Sequence, residues 1–160
     1  MNIIEVKGLT INDSKGQSLL NHVDLSIKTQ QINAIIGESG AGKTLAIRFI
    51  LNQLPHDFHI EYDDFLYYGH PVTQLDDHLG KDIGYISQNY TQSFNDHTKL
   101  GKQLIAIYRT HFDVSKQVAK TKVKEALTWV NLSSEEILTL YSFQLSGGQL
   151  ERVYIASVLM

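Results

Sequence analysis

The run Gly37-Glu38-Ser39-Gly40-Ala41-Gly42-Lys43-Thr44 constrains this chain more than any other feature, because it matches G-x-x-x-x-G-K-[ST] in full. It follows the compact apolar stretch 32–36 and precedes Leu45, Ile47, Phe49, Ile50 and Leu51, whose spacing suits a packed helix. The pattern predicts strand, loop and helix in that order. Glycines let successive backbone N–H groups turn inward on an anion, and the start of the following helix adds partial positive charge there. All eight residues are therefore candidate phosphate contacts. Lys43 suits bridging the outer phosphates, and the Thr44 hydroxyl suits magnesium, a hard cation that prefers oxygen. A nucleoside triphosphate is the implied ligand, and α/β is the implied fold class.

Short strands are expected on either side of this core. Ile3, Ile4 and Val6, then the alternating Val23, Leu25 and Ile27, flank the turn-rich 12–16 and predict an antiparallel opening. Residues 55–77 read as a polar, aromatic-dotted connection, and 83–86 as a further strand despite Gly84. Residues 100–129 carry helical spacing, with Leu104, Ile107, Tyr108 and His111 on one face and Val118, Lys122, Leu127 and Val130 on a weaker second. Ser133 with Glu136 predicts a capping box for a helix reaching Leu140, and 149–160 a last amphipathic helix.

Composition narrows the partners. A net charge of -3, with Lys and Arg dispersed, offers no basic stripe for nucleic acid. With no cysteine there is no disulfide framework or thiolate chemistry. No run of 18 apolar residues occurs, so an attachment to a membrane is expected to run through another protein. His56 and His59 stand at H-x-x-H spacing, but Asp57 is the one further ligand beside them, too few donors for a metal site.

A second glycine-bearing turn, Leu145-Ser146-Gly147-Gly148-Gln149, leads into the last helix. It too is an anion site in form, and one fold seldom needs two unless the second serves a neighbouring molecule's nucleotide. A head-to-tail dimer follows as an expectation. The order of the first loop, Gln88 after a strand, a helical insert and LSGGQ resembles the ATP-binding domains of ABC transporters. Residues 84–104, the loop at 37–43 and the stretch 141–153 are similar to the peptide and nickel importer branch, although Phe94 and Asp96 replace that branch's commoner Leu and Pro.

The resemblance implies a P-loop NTPase-like core of ABC type with an antiparallel β region at 1–30, a core from the Walker A loop to the Q-loop at 31–88, a helical subdomain at 89–144, and the signature loop with its helix at 145–160. It implies that Gln88 touches magnesium beside Thr44, and that Ser146, Gly147, Gly148 and Gln149 close over ATP bound on a second ATP-binding subunit. It further implies two membrane permease subunits, an extracytoplasmic solute-binding protein, a peripheral place on the cytoplasmic face of the membrane, and ATP-driven uptake of nickel, with oligopeptides or a metal chelator as the alternative cargo. ABC proteins acting on chromosomes or ribosomes share these motifs. The short interval between Gln88 and Ser146 has no sustained heptads for the former, and the charge balance does not suit the latter.

The chain also departs from the family pattern. No Phe, Tyr or Trp precedes Phe49, leaving His22 as the one ring in the first strands to face an adenine. Gln30 and Gln31 stand where Gly-Glu is usual, a change expected to alter only a turn. The family's strand ending in Asp-Glu and its switch histidine are expected beyond Met160. A C-terminally incomplete fold, no catalytic base among these residues, and nucleotide binding with negligible turnover are therefore the expectations.

Overall fold

A computed structural model describes residues 1–160 and resolves them into two units, Met1–Asp77 and His78–Met160. The first is built on an antiparallel sheet. Strands β1 (Asn2–Asn12) and β2 (Ser18–Lys28) form a long hairpin, pairing Asn2 with Lys28 and Asn12 with Ser18 at its ends. Their turn is set by Asp13, whose Oδ1 accepts from the N–H groups of Lys15 and Gln17, both at 2.8 Å. Such an Asx-type closure is the reason aspartate favours turns.

The expected opening strands are therefore present, but the sheet recruits more. Strands β3 (His59–Glu61), β4 (Asp64–Tyr67) and β5 (His70–Pro71) arise from the stretch read as a polar connection. β3 and β4 both pair with β1, giving the order β2-β1-β4-β5 with β3 beside β1. They carry little apolar alternation because β3 is wholly exposed and only Phe65 of β4 is buried. β1 instead buries Ile4, Val6, Leu9 and Ile11, as the central strand of a sheet must.

Helix α1 (Lys43–Ile50) buries Ala46, Phe49 and Ile50. Phe49 lies 5.1 Å from Phe65 and 5.5 Å from Tyr62 between ring centroids, so an aromatic cluster helps to join helix and sheet.

Two expected strands do not form. Residues 32–36 take no regular structure, with Ile32 100% and Ile36 92% exposed. Residues 83–86 make only an isolated parallel bridge, Leu79 with Ile83. An apolar run signals burial, but a strand also needs a hydrogen-bonded neighbour, and these residues find none beyond that bridge.

The second unit is helical: α2 (Leu100–His111), α3 (Lys116–Trp129), α4 (Ser134–Ile137) and α5 (Gly147–Leu159). The helical stretch 100–129 is thus broken at 112–115, where Ser115 caps α3 by accepting from the Val118 N–H at 3.3 Å. The buried face of α3 runs through Ala119, Val123, Ala126 and Leu127; Val118 and Lys122 point outward, contrary to the face read from the sequence. Phe94, Leu100, Leu104, Val123, Leu127, Ile137, Leu150 and Val153 share one core. Fully burying each of the larger side chains is worth about 1.5–3 kcal/mol.

The capping box expected at Ser133 is not made: α4 has no side-chain cap and ends at Ile137, short of Leu140. A complete box forms instead at Ser146 and Gln149, opening α5.

Candidate functional site

In the first unit, the loop 37–44 ends at Gly42, the N-cap of α1, which has φ 82. Two constraints require glycine there. That φ is left-handed backbone, and a Cβ would lie 2.4 Å from Leu20 Cδ2. Gly40, with φ 86, turns the loop in the same region of backbone space and faces open space. The Gly42 carbonyl accepts from the Ala46 N–H at 3.1 Å, starting the helix. No side chain caps α1 and no acid occupies its first turn, so its leading N–H groups are left for an outside acceptor.

Lys43 completes the cradle. Its Nζ donates to the carbonyls of Gly37 at 2.8 Å and Glu38 at 2.6 Å, holding the ammonium over the loop. Thr44 follows on the exposed side of the first turn. Glycine backbone, an uncapped helix start, a lysine and a hydroxyl form a donor set that fits a polyphosphate, with the hydroxyl oxygen suited to its hard counter-cation. Leu20, which Gly42 meets, lies on the same strand as His22 and two residues before it, so β2 runs beside this loop. The turn leaving β2 contains Gln30 at φ 54, and the Asn33 side chain closes it by bonding Lys28 and Gln31.

In the second unit, Ser146 is the N-cap of α5. Its Oγ accepts from the Gln149 N–H at 3.3 Å while Gln149 Oε1 accepts from the Ser146 N–H at 3.0 Å. Gly147 and Gly148 follow as the first residues of the helix, both exposed. The loop that ends in this anion-site form is thus closed by its own side chains.

The family model described as ABC transporter matches residues 20–160, taking in both loops. The chain belongs to the ABC transporter family. It is 58% identical over 160 residues, all of this chain and 62% of the relative's length, to the nickel import system ATP-binding protein NikD of Staphylococcus aureus strain USA300. The NikD of strain N315 is 56% identical over the same 160 residues. The chain thus spans 62% of the length of these curated relatives. Among solved structures it resembles cbiO1 of Clostridium perfringens, part of the ABC transporter complex cbiONQ, with a TM-score of 0.80 and 21% identity over 99% of this chain and 61% of that one. At that identity the likeness concerns the fold, which is the α/β fold of an ABC ATPase.

The ABC transporter family implies nucleotide binding, and the donor set of the loop at 37–44 fits a polyphosphate. Gln88, the Q-loop residue by resemblance, is exposed in the second unit. Its segment is tied to the signature helix by Tyr154 of α5, whose hydroxyl accepts from the Ser87 N–H at 3.3 Å and lies 3.5 Å from the Tyr85 carbonyl. The Tyr154 ring stacks on Tyr90, with centroids 6.5 Å apart, and meets Phe94 edge-on. Gly84 packs against Val158, one turn further along α5.

Sequence reasoning did not pick out Tyr154. Its only signal was an aromatic in an amphipathic helix, and that signal usually means core. The two departures from the importer pattern are explained here as well. Phe94 is buried in the helical core, and Asp96 accepts a hydrogen bond from the buried Ser142 hydroxyl, four residues before the signature serine.

His56 and His59 stay exposed, His59 paired opposite Asn12 in β3, and no group of three or more potential ligands gathers around them. No helix is long and apolar enough to cross a membrane.

Proposed function

We propose that the chain is the nucleotide-gripping part of an ABC importer subunit that uses ATP to drive nickel uptake. The observation that carries the cargo is the 58% identity along the whole chain to a nickel import ATP-binding protein. The grip is supported by the uncapped start of α1 and by the Lys43 ammonium, which can exchange two backbone carbonyls for phosphate oxygens without leaving its place.

In this reading Gly37, Glu38, Ser39, Gly40, Ala41, Gly42, Lys43 and Thr44 wrap the phosphates, and His22 on the neighbouring strand is the ring offered to the base. Magnesium, when bound, neutralises phosphate charge; the Thr44 hydroxyl and the Gln88 amide oxygen are the proposed ligands from this chain. Ser146, Gly147, Gly148 and Gln149 serve ATP held by a second ATP-binding subunit. The two permease subunits, the extracytoplasmic solute-binding protein and a place at the cytoplasmic face of the membrane belong to the same proposal. Each of these residues has a binding role in the proposal.

Removing the gene is expected to abolish high-affinity nickel accumulation and leave peptide uptake intact. The reverse pattern would assign the cargo to peptides. Restoration of nickel uptake by the Lys43→Ala form would overturn the role of the loop.

A further inference from the structure

The segment 84–90, which carries Gln88, has little structure of its own. It forms no helix or strand, and Ser87 is the one residue in it whose backbone N–H finds a partner within the protein. That partner is the Tyr154 hydroxyl, 67 residues further along the chain. The bond fixes the peptide plane entering Ser87, one residue before Gln88.

The tyrosine is itself braced. Its ring lies at 24° to Tyr90 and at 86° to Phe94, and Phe94 belongs to the helical core. The hydroxyl proton is left for Ser87 Oγ at 3.4 Å or the Tyr85 carbonyl at 3.5 Å, so one oxygen meets two residues on the approach to Gln88. A second point of contact comes at Gly84, where a Cβ would lie 2.4 Å from Val158 Cγ1. Tyr154 and Val158 stand four residues apart, about 6 Å along the axis of α5. The contact at Val158 is steric and the one at Tyr154 is directional. A phenylalanine at 154 would make the same ring contacts, which leaves the hydroxyl without a role in packing.

We propose that Tyr154 is the positioning residue for Gln88: its hydroxyl holds the main chain so that the Gln88 amide oxygen is presented to the magnesium of the bound nucleotide. The inference rests on the magnesium role given to Gln88 above and adds the group that aims it. Magnesium demands near-ideal ligand geometry, so a ligand on an unanchored segment binds it poorly. Anchoring the backbone beforehand removes part of the ordering cost from the moment of binding.

The test is nuclear magnetic resonance on the protein and on Tyr154→Phe, which keeps the ring. Hydrogen exchange at the Ser87 amide is expected to quicken about threefold to tenfold in the variant, the worth of one neutral hydrogen bond, while the amides of α5 keep their rates. Manganese with ATP serves as a paramagnetic probe in place of magnesium, broadening nearby resonances steeply with distance. It is expected to broaden the side-chain amide signals of Gln88 in the wild-type protein and to broaden them several-fold less in Tyr154→Phe. The backbone amides of Gly42 and Lys43 should broaden alike in both. Equal broadening of Gln88 in the two proteins would overturn the proposal, as would an unchanged Ser87 exchange rate. The same loss at Gln88 in Tyr90→Phe would also overturn it, since that change spares the Ser87 bond. Broadening at Gly42 and Lys43 with none at Gln88 in the wild-type protein would remove the magnesium role of Gln88 and the positioning role with it. No broadening at either place would overturn the nucleotide reading and this inference together.

Discussion

The two glycine-bearing loops begin helices in the same way on paper and in opposite ways in space. At 37–44 the N-cap is a left-handed glycine with no side-chain cap, and α1 opens with free polarity. At 145–149 the N-cap is Ser146, and the reciprocal bonds with Gln149 close the start of α5. The first loop leaves its helix start open, and in the proposed reading that opening takes a phosphate. The second satisfies itself, and in the proposed reading it must trade internal bonds for those of a phosphate arriving on another subunit. Holding a capping box in reserve costs little, because such bonds are each worth about 1 kcal/mol and are exchanged for charged ones of greater strength.

The largest expected break in this contrast is at Lys43. Lys43→Ala removes a charged donor from the open loop, worth about 1.5–3 kcal/mol to a phosphate. Calorimetry should show ATP affinity falling by at least about tenfold, with thermal stability little changed because the two carbonyls it releases are open to water. Retained affinity would mean that the loop is not the nucleotide site.

Gly42→Ala follows. It places a side chain at φ 82 and drives a methyl into Leu20, for a combined cost of about 2–3 kcal/mol. Denaturant melts should register that loss, and nucleotide binding should fall with it. A neutral result would show that the cradle tolerates an ordinary backbone.

At the closed loop the changes are smaller and differ in sign. Ser146→Ala deletes the cap of α5 and should destabilise by about 1 kcal/mol. Gly148→Ala meets nothing within 4 Å, and Gly148 shows no left-handed φ, so it should stabilise by about 0.4–1 kcal/mol. Any cost of Gly148→Ala to transport would then be functional rather than structural, since the fold itself does not require that glycine.

How much of this was legible depended on the range over which each signal acts. The loop 37–44 and the signature turn are local, written in glycines and capping residues within a few positions, whereas the Ser115 cap that starts α3 lay inside a stretch read as one helical run. The strands at 59–71 were not legible, because β3 is exposed throughout and only Phe65 of β4 is buried; they exist because β1 offers an edge. The reverse error fell on 32–36 and 83–86, whose isoleucines signalled strands but have no paired neighbour here beyond the single Leu79 to Ile83 bridge. Tyr154 and the Asp96 to Ser142 bond were hidden for a third reason. Their partners lie 67 and 46 residues away in the chain, beyond any periodicity argument.

The smallest expected effects compare the exposed ion pairs of the two units. The Glu5 carboxyl is held below its usual range by the Asn2 amide and then by Lys7, and the Glu135 carboxyl by Lys124. For a depressed acid the native state binds the proton less readily than the unfolded chain. The contribution to stability is therefore complete above the ordinary carboxylate value and disappears as pH falls through the lowered one. At neutral pH both pairs are fully formed, and acidification should weaken each unit slightly, less so in high salt. Carboxyl carbon shifts followed against pH should show Glu135 titrating higher in Lys124→Ala, and Glu5 titrating higher in Asn2→Ala. If Glu135 alone kept its midpoint, Lys124 would not be its partner in solution, and the weaker attraction of Lys120 would be what lowers it.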